Sequence, residues 1–383
     1  MCYLSYNPPH FLRNGVAMTL YTAIWAGRNW EQTTKCPEPP YQEHIFIGGQ
    51  SVPIFGWVAI PKNPCGTIVG TYGITGELDN QWFLKLLGRK AYAQGFAVVL
   101  FDWRGHGRTA QLSPTLTSDG LYEGEDFIRI AAAAKAMGCP GKFWFTGYSL
   151  GGQLALWAVS LRWGGGEVGR LGTRGPHDRQ GVGIRGGGEM GRWGDTITPL
   201  LEVLGLEDED IGGAAVICPS LDSKRSLTYL VKQPFGRYME KAITRNLKKL
   251  AWRIYAAHPN SIDPEAIARV NSIWSFDEEL VIKSLGFSSV EAYYDASSAL
   301  QLLPNLQKPT LIIYAEDDPL FDPAIVPDLQ LACAANPMID LLLTRFGGHV
   351  GYISSKACQR QAQDPDPWWT WNRILEWLSG SVG

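Results

Sequence analysis

Residues 142–151 read KFWFTGYSLG, an apolar run that ends in the pattern G-x-S-x-G. The run predicts a buried strand, and residues 150–162 predict a helix because their apolar side chains recur at helical spacing. A serine between strand and helix occupies a tight turn, where glycine at Gly147 and Gly151 avoids Cβ collisions. The pattern also occurs in ordinary tight turns. Its place after the fifth predicted strand nevertheless favours Ser149 as a nucleophile exposed at the carboxyl edge of a sheet.

The sequence on both sides of this stretch alternates between predicted strands and helices. Apolar runs predict a hairpin over residues 44–60 and strands at 66–70, 97–101, 213–218, 310–314 and 339–344. Helical spacing covers residues 80–93, 124–137 and 368–378. Strands separated by single helices imply right-handed crossovers. The fold class is therefore α/β, with a mostly parallel, doubly wound sheet.

Amino-acid composition separates further segments of the chain from the predicted core. Residues 162–195 contain thirteen glycines and almost no aliphatic side chains, which predicts a flexible insertion. A solvated spacer is favoured there over an RNA contact because acidic residues are mixed among the arginines. The largely helical region at 223–300 predicts a cap. The predicted units are an N-terminal arm (1–43), the first half of the core (44–161), the insertion (162–195), the sixth-strand region (196–222), the cap (223–300) and the second half of the core (301–383).

A serine hydroxyl is a weak nucleophile at neutral pH and needs a nearby base. His349 lies in the motif GGHVG at residues 347–351, which follows the last predicted strand and returns to the edge that carries Ser149. His106 competes for this role, but its place after the fourth strand favours a structural hydrogen bond within its turn. The other histidines precede the sheet or fall in the insertion and cap: His10, His44, His177 and His258.

The acid that orients the base should follow the strand before the histidine loop. Residues 315–321, AEDDPLF, supply three carboxylates there. Asp318 is favoured because it lies four positions into the turn, whereas Glu316 and Asp317 are expected to face solvent. Asp222, after the sixth strand, is a weaker alternative. The acid would fix the imidazole tautomer and stabilise the imidazolium formed during acyl transfer.

The tetrahedral intermediate of acyl transfer needs two hydrogen-bond donors for its negative oxygen. The backbone N–H of Leu150 directly follows the nucleophile and lies at a helix N-terminus. The second donor should come from the loop YGITG at residues 72–76, and Ile74 is the candidate. The glycines of this loop would let its backbone approach a substrate.

These motifs and their order resemble the YheT-type branch of the α/β-hydrolase fold. The matching segments are LRNG (12–15), MTL (18–20), KPTLII (308–313), DDP (317–319), GGHVGY (347–352) and, in the cap, SFD (275–277), LGF (285–287) and YY (293–294). Two features depart from the family pattern: Tyr72-Gly73 replaces the usual His-Gly of the oxyanion loop, and the link after the nucleophile helix is expanded.

The resemblance implies hydrolysis of carboxylic esters, with acyl lipids as one candidate substrate class, and no metal or organic cofactor. Three other enzyme activities remain alternatives on the same scaffold: thioesterase, acyltransferase and cofactor-free peroxidase. A catalytically silent binding module is the alternative from a different functional class.

Overall composition limits the partners. The 383 residues carry a formal charge of −3, without the basic excess that nucleic-acid binding usually needs. Seven cysteines, none in a C-x-x-C pair, are expected to be reduced thiols without a metal site. A cytoplasmic location is predicted. The helix near residues 237–253 mixes basic and apolar residues, so peripheral contact with a membrane is an alternative to a solvated face. The oligomeric state stays open.

Overall fold

The computed structural model describes residues 6–160 and 200–382. The insertion predicted at residues 162–195 lies outside the described residues. Within these two ranges, eight strands form one sheet. They are β1 (Gln42–Ile47), β2 (Pro53–Ala59), β3 (Gly66–Thr71), β4 (Phe96–Phe101), β5 (Phe143–Tyr148), β6 (Ile211–Ile217), β7 (Thr310–Ala315) and β8 (Ile339–Thr344).

The sheet has the order β1-β2-β4-β3-β5-β6-β7-β8. Among the described strands, β2 runs antiparallel to both of its neighbours, and the pairs from β4 to β8 are parallel. The predicted mostly parallel sheet and its initial hairpin are confirmed. The connection from β4 to β5 crosses over β3, so the strand order reverses at β3. The loops after β3 and β5 therefore meet at a topological switch point, where ligands bind in folds of this kind.

The helices are α1 (Gly15–Leu20), α2 (Gly27–Asn29), α3 (Trp82–Ala93), α4 (Thr109–Leu112), α5 (Glu123–Ala136), α6 (Leu150–Ser160), α7 (Ser223–Leu230), α8 (Pro234–Ala257), α9 (Pro264–Arg269), α10 (Ile273–Phe276), α11 (Ile282–Leu285), α12 (Val290–Ser297), α13 (Ile325–Ala334), α14 (Lys356–Ala362) and α15 (Trp369–Val382). Within the described ranges, no helix has both the length and the apolar character that crossing a bilayer requires.

Helices cover both faces of the central strands. Phe83 of α3 packs against Trp371 of α15 with ring centroids 4.7 Å apart, and α5 packs along α6. Every residue of β3, β4 and β5 is buried. Burial on both faces explains why these strands read as continuous apolar runs rather than alternating ones.

The helices from α7 to α12 form a second layer above the carboxyl edge of the sheet. They have an apolar cluster of their own, which includes Leu247, Ile267 and Val281. Ile74 and Leu116 of the core pack against this cluster. A cavity remains between the two layers, and it opens onto the turn after β5.

Candidate active site

Ser149 lies in a strained turn between β5 and α6. Its φ is +56°, in the left-handed region that non-glycine residues seldom adopt. Its amide donates to the carbonyl of Ile217 on β6 at 3.0 Å, which fixes the turn against the sheet. A Cβ at Gly147 would lie 2.3 Å from the Gly151 carbonyl oxygen, and one at Gly151 would lie 2.4 Å from the Tyr72 carbonyl oxygen. Both glycines of the motif are therefore required by close backbone contacts.

His349 and Asp318 are joined across the loops that follow β8 and β7. The Nδ1 of His349 lies 2.8 Å from Oδ2 of Asp318. The second carboxylate oxygen, Oδ1, accepts from the Leu320 amide at 2.9 Å. The Asp318 side chain is 2% exposed, so both of its oxygens are held in a nearly dry environment. This arrangement places the Nδ1 proton of the imidazole on the side of the acid and leaves Nε2 free to act as a base.

Asp317 does not face solvent, contrary to the expectation from sequence. It is half buried, and its Oδ1 accepts from the Gly348 amide at 2.8 Å. Burial raises the pKa of Asp317 to about 6. The side chain therefore supports the backbone of the histidine loop. Glu316 is exposed, as expected.

Asp222, the weaker acid candidate, lies at the start of a cap helix. Its side chain accepts from the Arg225 amide at 2.9 Å and caps the N-terminus of α7. Asp and Asn are favoured at this position because they satisfy an amide that has no partner within the helix. The contacts of Asp222 thus explain its presence without a role in the triad.

The N-terminal arm contacts the loop that carries His349, a contact that sequence reasoning missed. The His349 amide donates to Oγ1 of Thr19 at 2.8 Å, and that hydroxyl donates to the Gly15 carbonyl at 2.7 Å. Thr19 is 6% exposed. A Cβ at Gly15 would lie 1.7 Å from the Asp317 carbonyl oxygen, so α1 also touches the acid loop. The resemblance at residues 12–20 was the available signal, but it gave no indication of a contact with His349.

Replacing Thr19 with valine should lower kcat about ten-fold and change KM little, because the shape is kept while the His349 amide loses its acceptor. Thr19→Ser keeps the hydroxyl and should restore most of the loss. Steady-state kinetics on both variants, with thermal unfolding as a check of the fold, measures this. Wild-type kcat in Thr19→Val, or equal losses in the two variants, would contradict a positioning role.

His106 forms the hydrogen bond expected within its turn and also reaches the oxyanion loop. Its Nδ1 lies 3.1 Å from the Arg104 carbonyl oxygen, and its Nε2 accepts from the Thr75 amide at 3.1 Å. Burial lowers the pKa of His106 to about 3, so the ring is neutral at neutral pH. Since Nε2 is already occupied, His106 is not available as the base for Ser149.

Tyr72, which stands where the family pattern usually has histidine, makes a buried hydrogen bond of its own. Its hydroxyl donates to Oδ1 of Asp102 at 2.5 Å, and the same oxygen accepts from the Leu78 amide at 2.8 Å. Tyr72 is fully buried. The tyrosine therefore ties the start of the oxyanion loop to the end of β4.

Ile74 and Leu150 lie with Ser149 on the wall of the same cavity. In the predicted oxyanion loop, residues 72–76, the Thr75 amide donates to Nε2 of His106. The Gly76 amide donates to the Gly73 carbonyl at 3.3 Å. These bonds occupy two amides of the loop and leave that of Ile74, the donor expected from the sequence, without a described acceptor. Leu150 is the first residue of α6, where amides have no acceptor within the helix. Both predicted donors thus belong to residues that line the cavity beside Ser149.

Phe321 belongs to the cavity wall and also contacts His349. It lines the cavity together with Ser149, and its ring packs edge-on against the His349 ring with centroids 5.0 Å apart. The rest of the lining is mostly apolar and comes largely from the cap. It includes Leu227, Leu230, Ile243, Leu247, Leu250, Ile273 and Phe276. The cavity can therefore enclose an apolar group beside Ser149.

Comparison with known proteins places the chain in a family. Residues 66–170 match a family model described as the alpha/beta hydrolase fold. The protein named "Putative esterase slr0264" of Synechocystis is 49% identical over 97% of this chain and 94% of its own length. "Putative esterase YheT" of Escherichia coli is 31% identical over 43% of this chain and 47% of its own. "Phospholipase ABHD3" of Mus musculus is 23% identical over 88% of this chain and 74% of its own length.

The Synechocystis relative aligns along almost the whole of both chains, at an identity well above what a shared fold alone would give. The sheet topology and the family match agree with it. The chain is therefore an esterase-like member of the YheT-type branch of the α/β-hydrolase family.

Proposed function

We propose that this protein hydrolyses carboxylic esters through an acyl-enzyme formed on Ser149. His349 is the general base, Asp318 orients and stabilises it, and the amides of Leu150 and Ile74 bind the oxyanion. The observation that carries the proposal is the position of Ser149: a strained turn at the switch point of the sheet, open to an apolar cavity. The His349–Asp318 hydrogen bond supports the same chemistry.

The reaction follows from these roles. The Ser149 Oγ attacks the carbonyl carbon while Nε2 of His349 takes its proton, and the carbonyl oxygen becomes the oxyanion. The tetrahedral intermediate collapses, the C–O bond of the ester breaks, and the imidazolium gives its proton to the departing alcohol. Water then attacks the acyl-enzyme with His349 again as base, which releases the acid and restores Ser149.

The finer proposal is that the substrate is an acyl ester whose chain lies under the cap. The apolar lining contributed by α7, α8 and α10 supports this, because such a wall favours a hydrocarbon chain over a polar group. The similarity to a relative named a phospholipase also supports a lipid substrate.

If an acyl chain fills the cavity, kcat/KM should rise with chain length and then level off. Burial of each methylene contributes about 0.8 kcal/mol, equivalent to at most about a four-fold gain in kcat/KM. The measurement is hydrolysis of p-nitrophenyl esters from acetyl to palmitoyl. Leu230→Phe should shift the optimum to shorter chains, because Leu230 lines the cavity. Leu331→Phe is the matched control, since Leu331 is 73% exposed.

A flat or falling profile from the shortest ester, unchanged in Leu230→Phe, would leave a hydrolase of small esters and remove the acyl-chain proposal. Such a result would not affect the roles of Ser149, His349 and Asp318.

We further propose that the outer face of α8 contacts an anionic head group or membrane surface. Arg237, Lys241, Arg245 and Lys249 are exposed there. Tyr238 of the same helix is 67% exposed. Lys248 is not counted with these exposed basic residues, because its Nζ donates a hydrogen bond to the carbonyl of Ala268, another cap residue. Exposed charges are screened over about 8 Å at physiological ionic strength, so salt should weaken hydrolysis of anionic phospholipid and spare neutral esters.

A further inference from the structure

Two carboxyl groups lie among the apolar side chains of the cavity, and neither belongs to the proposed triad. Asp119 comes from the core, in the turn before α5, and Asp277 comes from the cap, directly after α10. Each residue is 7% exposed. Burial of ionisable groups is costly unless they are protonated or paired, so their presence beside a ligand cavity calls for a function.

The pair is held by neighbouring hydroxyl groups. The Tyr294 hydroxyl donates to Oδ2 of Asp277, and Tyr294 lines the cavity as well. Oγ1 of Thr117 lies 3.5 Å from Oδ1 of Asp119. Burial raises the pKa of Asp277 to about 7, and burial together with the charge of Asp277 raises the pKa of Asp119 well above its usual range. Burial therefore favours the protonated form of each carboxyl group, which can donate a hydrogen bond as well as accept one.

Glu123 is the third acidic side chain near this pair, and its hydrogen bonds are made within its own turn. Its carboxylate accepts from the Ser118 amide at 2.9 Å, from the Ser118 hydroxyl at 2.5 Å and from the Gly120 amide at 3.0 Å. Its role is structural, because it fixes the turn that carries Asp119.

Ser226 provides an independent sign of a polar ligand. It projects from α7, lines the same cavity and is 4% exposed. Its Oγ is buried and has no hydrogen-bond partner among the residues that the structure describes. Buried hydroxyls are nearly always paired, so a hydroxyl left unpaired on a cavity wall is explained by a partner on the ligand.

We propose that Asp119, Asp277 and Ser226 form a subsite for a hydroxyl group of the substrate, so that the enzyme selects esters whose acyl chain carries a hydroxyl remote from the scissile bond. This inference rests on the ester hydrolysis proposed at Ser149. A hydroxyl can accept from a protonated carboxyl and donate to its neighbour. An ammonium group fits less well, because the surrounding wall is mostly apolar and burying a charge there is costly.

The test compares p-nitrophenyl esters whose acyl chains end in methyl, hydroxyl or ammonium, in matched lengths from butanoyl to dodecanoyl. The measured quantity is the ratio of kcat/KM for the hydroxyl ester to kcat/KM for the methyl ester. We expect this ratio to exceed about ten at one chain length and to fall below one at the shortest lengths, where the hydroxyl cannot reach the pair.

Two variants test the residues. Asp277→Leu should bring the ratio below one at every length, because it replaces a hydrogen-bonding wall with an apolar one of similar volume. Ser226→Ala should reduce it several-fold, and this smaller change keeps the test open if Asp277→Leu does not fold. Asp295→Leu is the matched control: Asp295 follows Tyr294 on α12, has a 64% exposed side chain and should leave the ratio and the turnover unchanged.

A ratio below one at every length in the wild-type protein would overturn the inference, as would a preference for the ammonium esters. An unchanged ratio in both Asp277→Leu and Ser226→Ala would overturn it too. Failure of the proposed ester hydrolysis looks different, since then none of the esters, including the methyl series, would be cleaved.

Discussion

Replacing Ser149 with alanine should reduce ester hydrolysis by about 10³-fold or more, the size of loss typical of a triad nucleophile. The remaining rate would come from substrate binding and the oxyanion amides alone. Alanine fits the site sterically, because it removes the Oγ and leaves the Cβ of the turn in place. Release of p-nitrophenol from an ester of the preferred chain length, compared with an enzyme-free blank, measures the loss.

Ser223→Ala is the matched control for this variant. Ser223 lines the same cavity at the start of α7, and its Oγ lies 3.3 Å from the Ser220 hydroxyl. Its replacement should keep turnover close to that of the wild type. Near-wild-type turnover in Ser149→Ala, or an equal loss in both variants, would show that Ser149 is not the nucleophile.

Asp318→Asn should lower kcat by about 10³- to 10⁴-fold while the fold is kept, because an amide does not stabilise the imidazolium and favours the wrong tautomer. Asp317→Asn should be much milder. The Oδ1 of an asparagine at 317 can still accept from the Gly348 amide, the bond that Asp317 makes in the structure. The two variants differ by one position in sequence, so each controls for general disturbance of the loop after β7.

The measurement is kcat for both variants, together with the temperature of unfolding. The reverse ranking on folded protein, with Asp317→Asn the more damaged, would transfer the acid role to Asp317. Equal and small losses would remove the Asp–His pair from the mechanism.

The sequence was sufficient to predict the elements of the fold because its signals are local. The unbroken apolar runs of β4 and β5 reflect burial on both faces, and the glycines around Ser149 reflect a turn that only they can make. The hairpin at the start of the sheet was visible for the same reason. Elements of this kind depend on residues close to one another in the chain.

Contacts between distant segments could not be predicted in the same way. Thr19 and His349 are 330 positions apart, and their hydrogen bond depends on how α1 packs against the loop after β8. The expectation that Asp317 faces solvent is wrong, because the bond it accepts from the Gly348 amide exists only once the two loops are in place. No pattern within either segment encodes these pairings.

In the cap, sequence-based prediction was limited in another way. Helical spacing predicts an amphipathic helix but does not identify which residues line the cavity. Leu230 and Ile243 line it, whereas Val231 is 45% exposed and Tyr238 is 67% exposed. All four are large apolar or aromatic residues, so their types alone do not separate the two faces. The presence of Asp119 and Asp277 on the wall of one cavity was equally hidden, since they belong to two separate layers.

Labelling with a fluorophosphonate, followed by mapping of the adduct, tests the central claim most directly, since the reagent reports an activated serine without requiring the natural substrate. The account predicts one covalent adduct on Ser149 of the wild-type protein, no adduct in Ser149→Ala and strongly slowed labelling in Asp318→Asn. Folded wild-type protein that stays unlabelled, or that carries its adduct on another residue, would contradict the account.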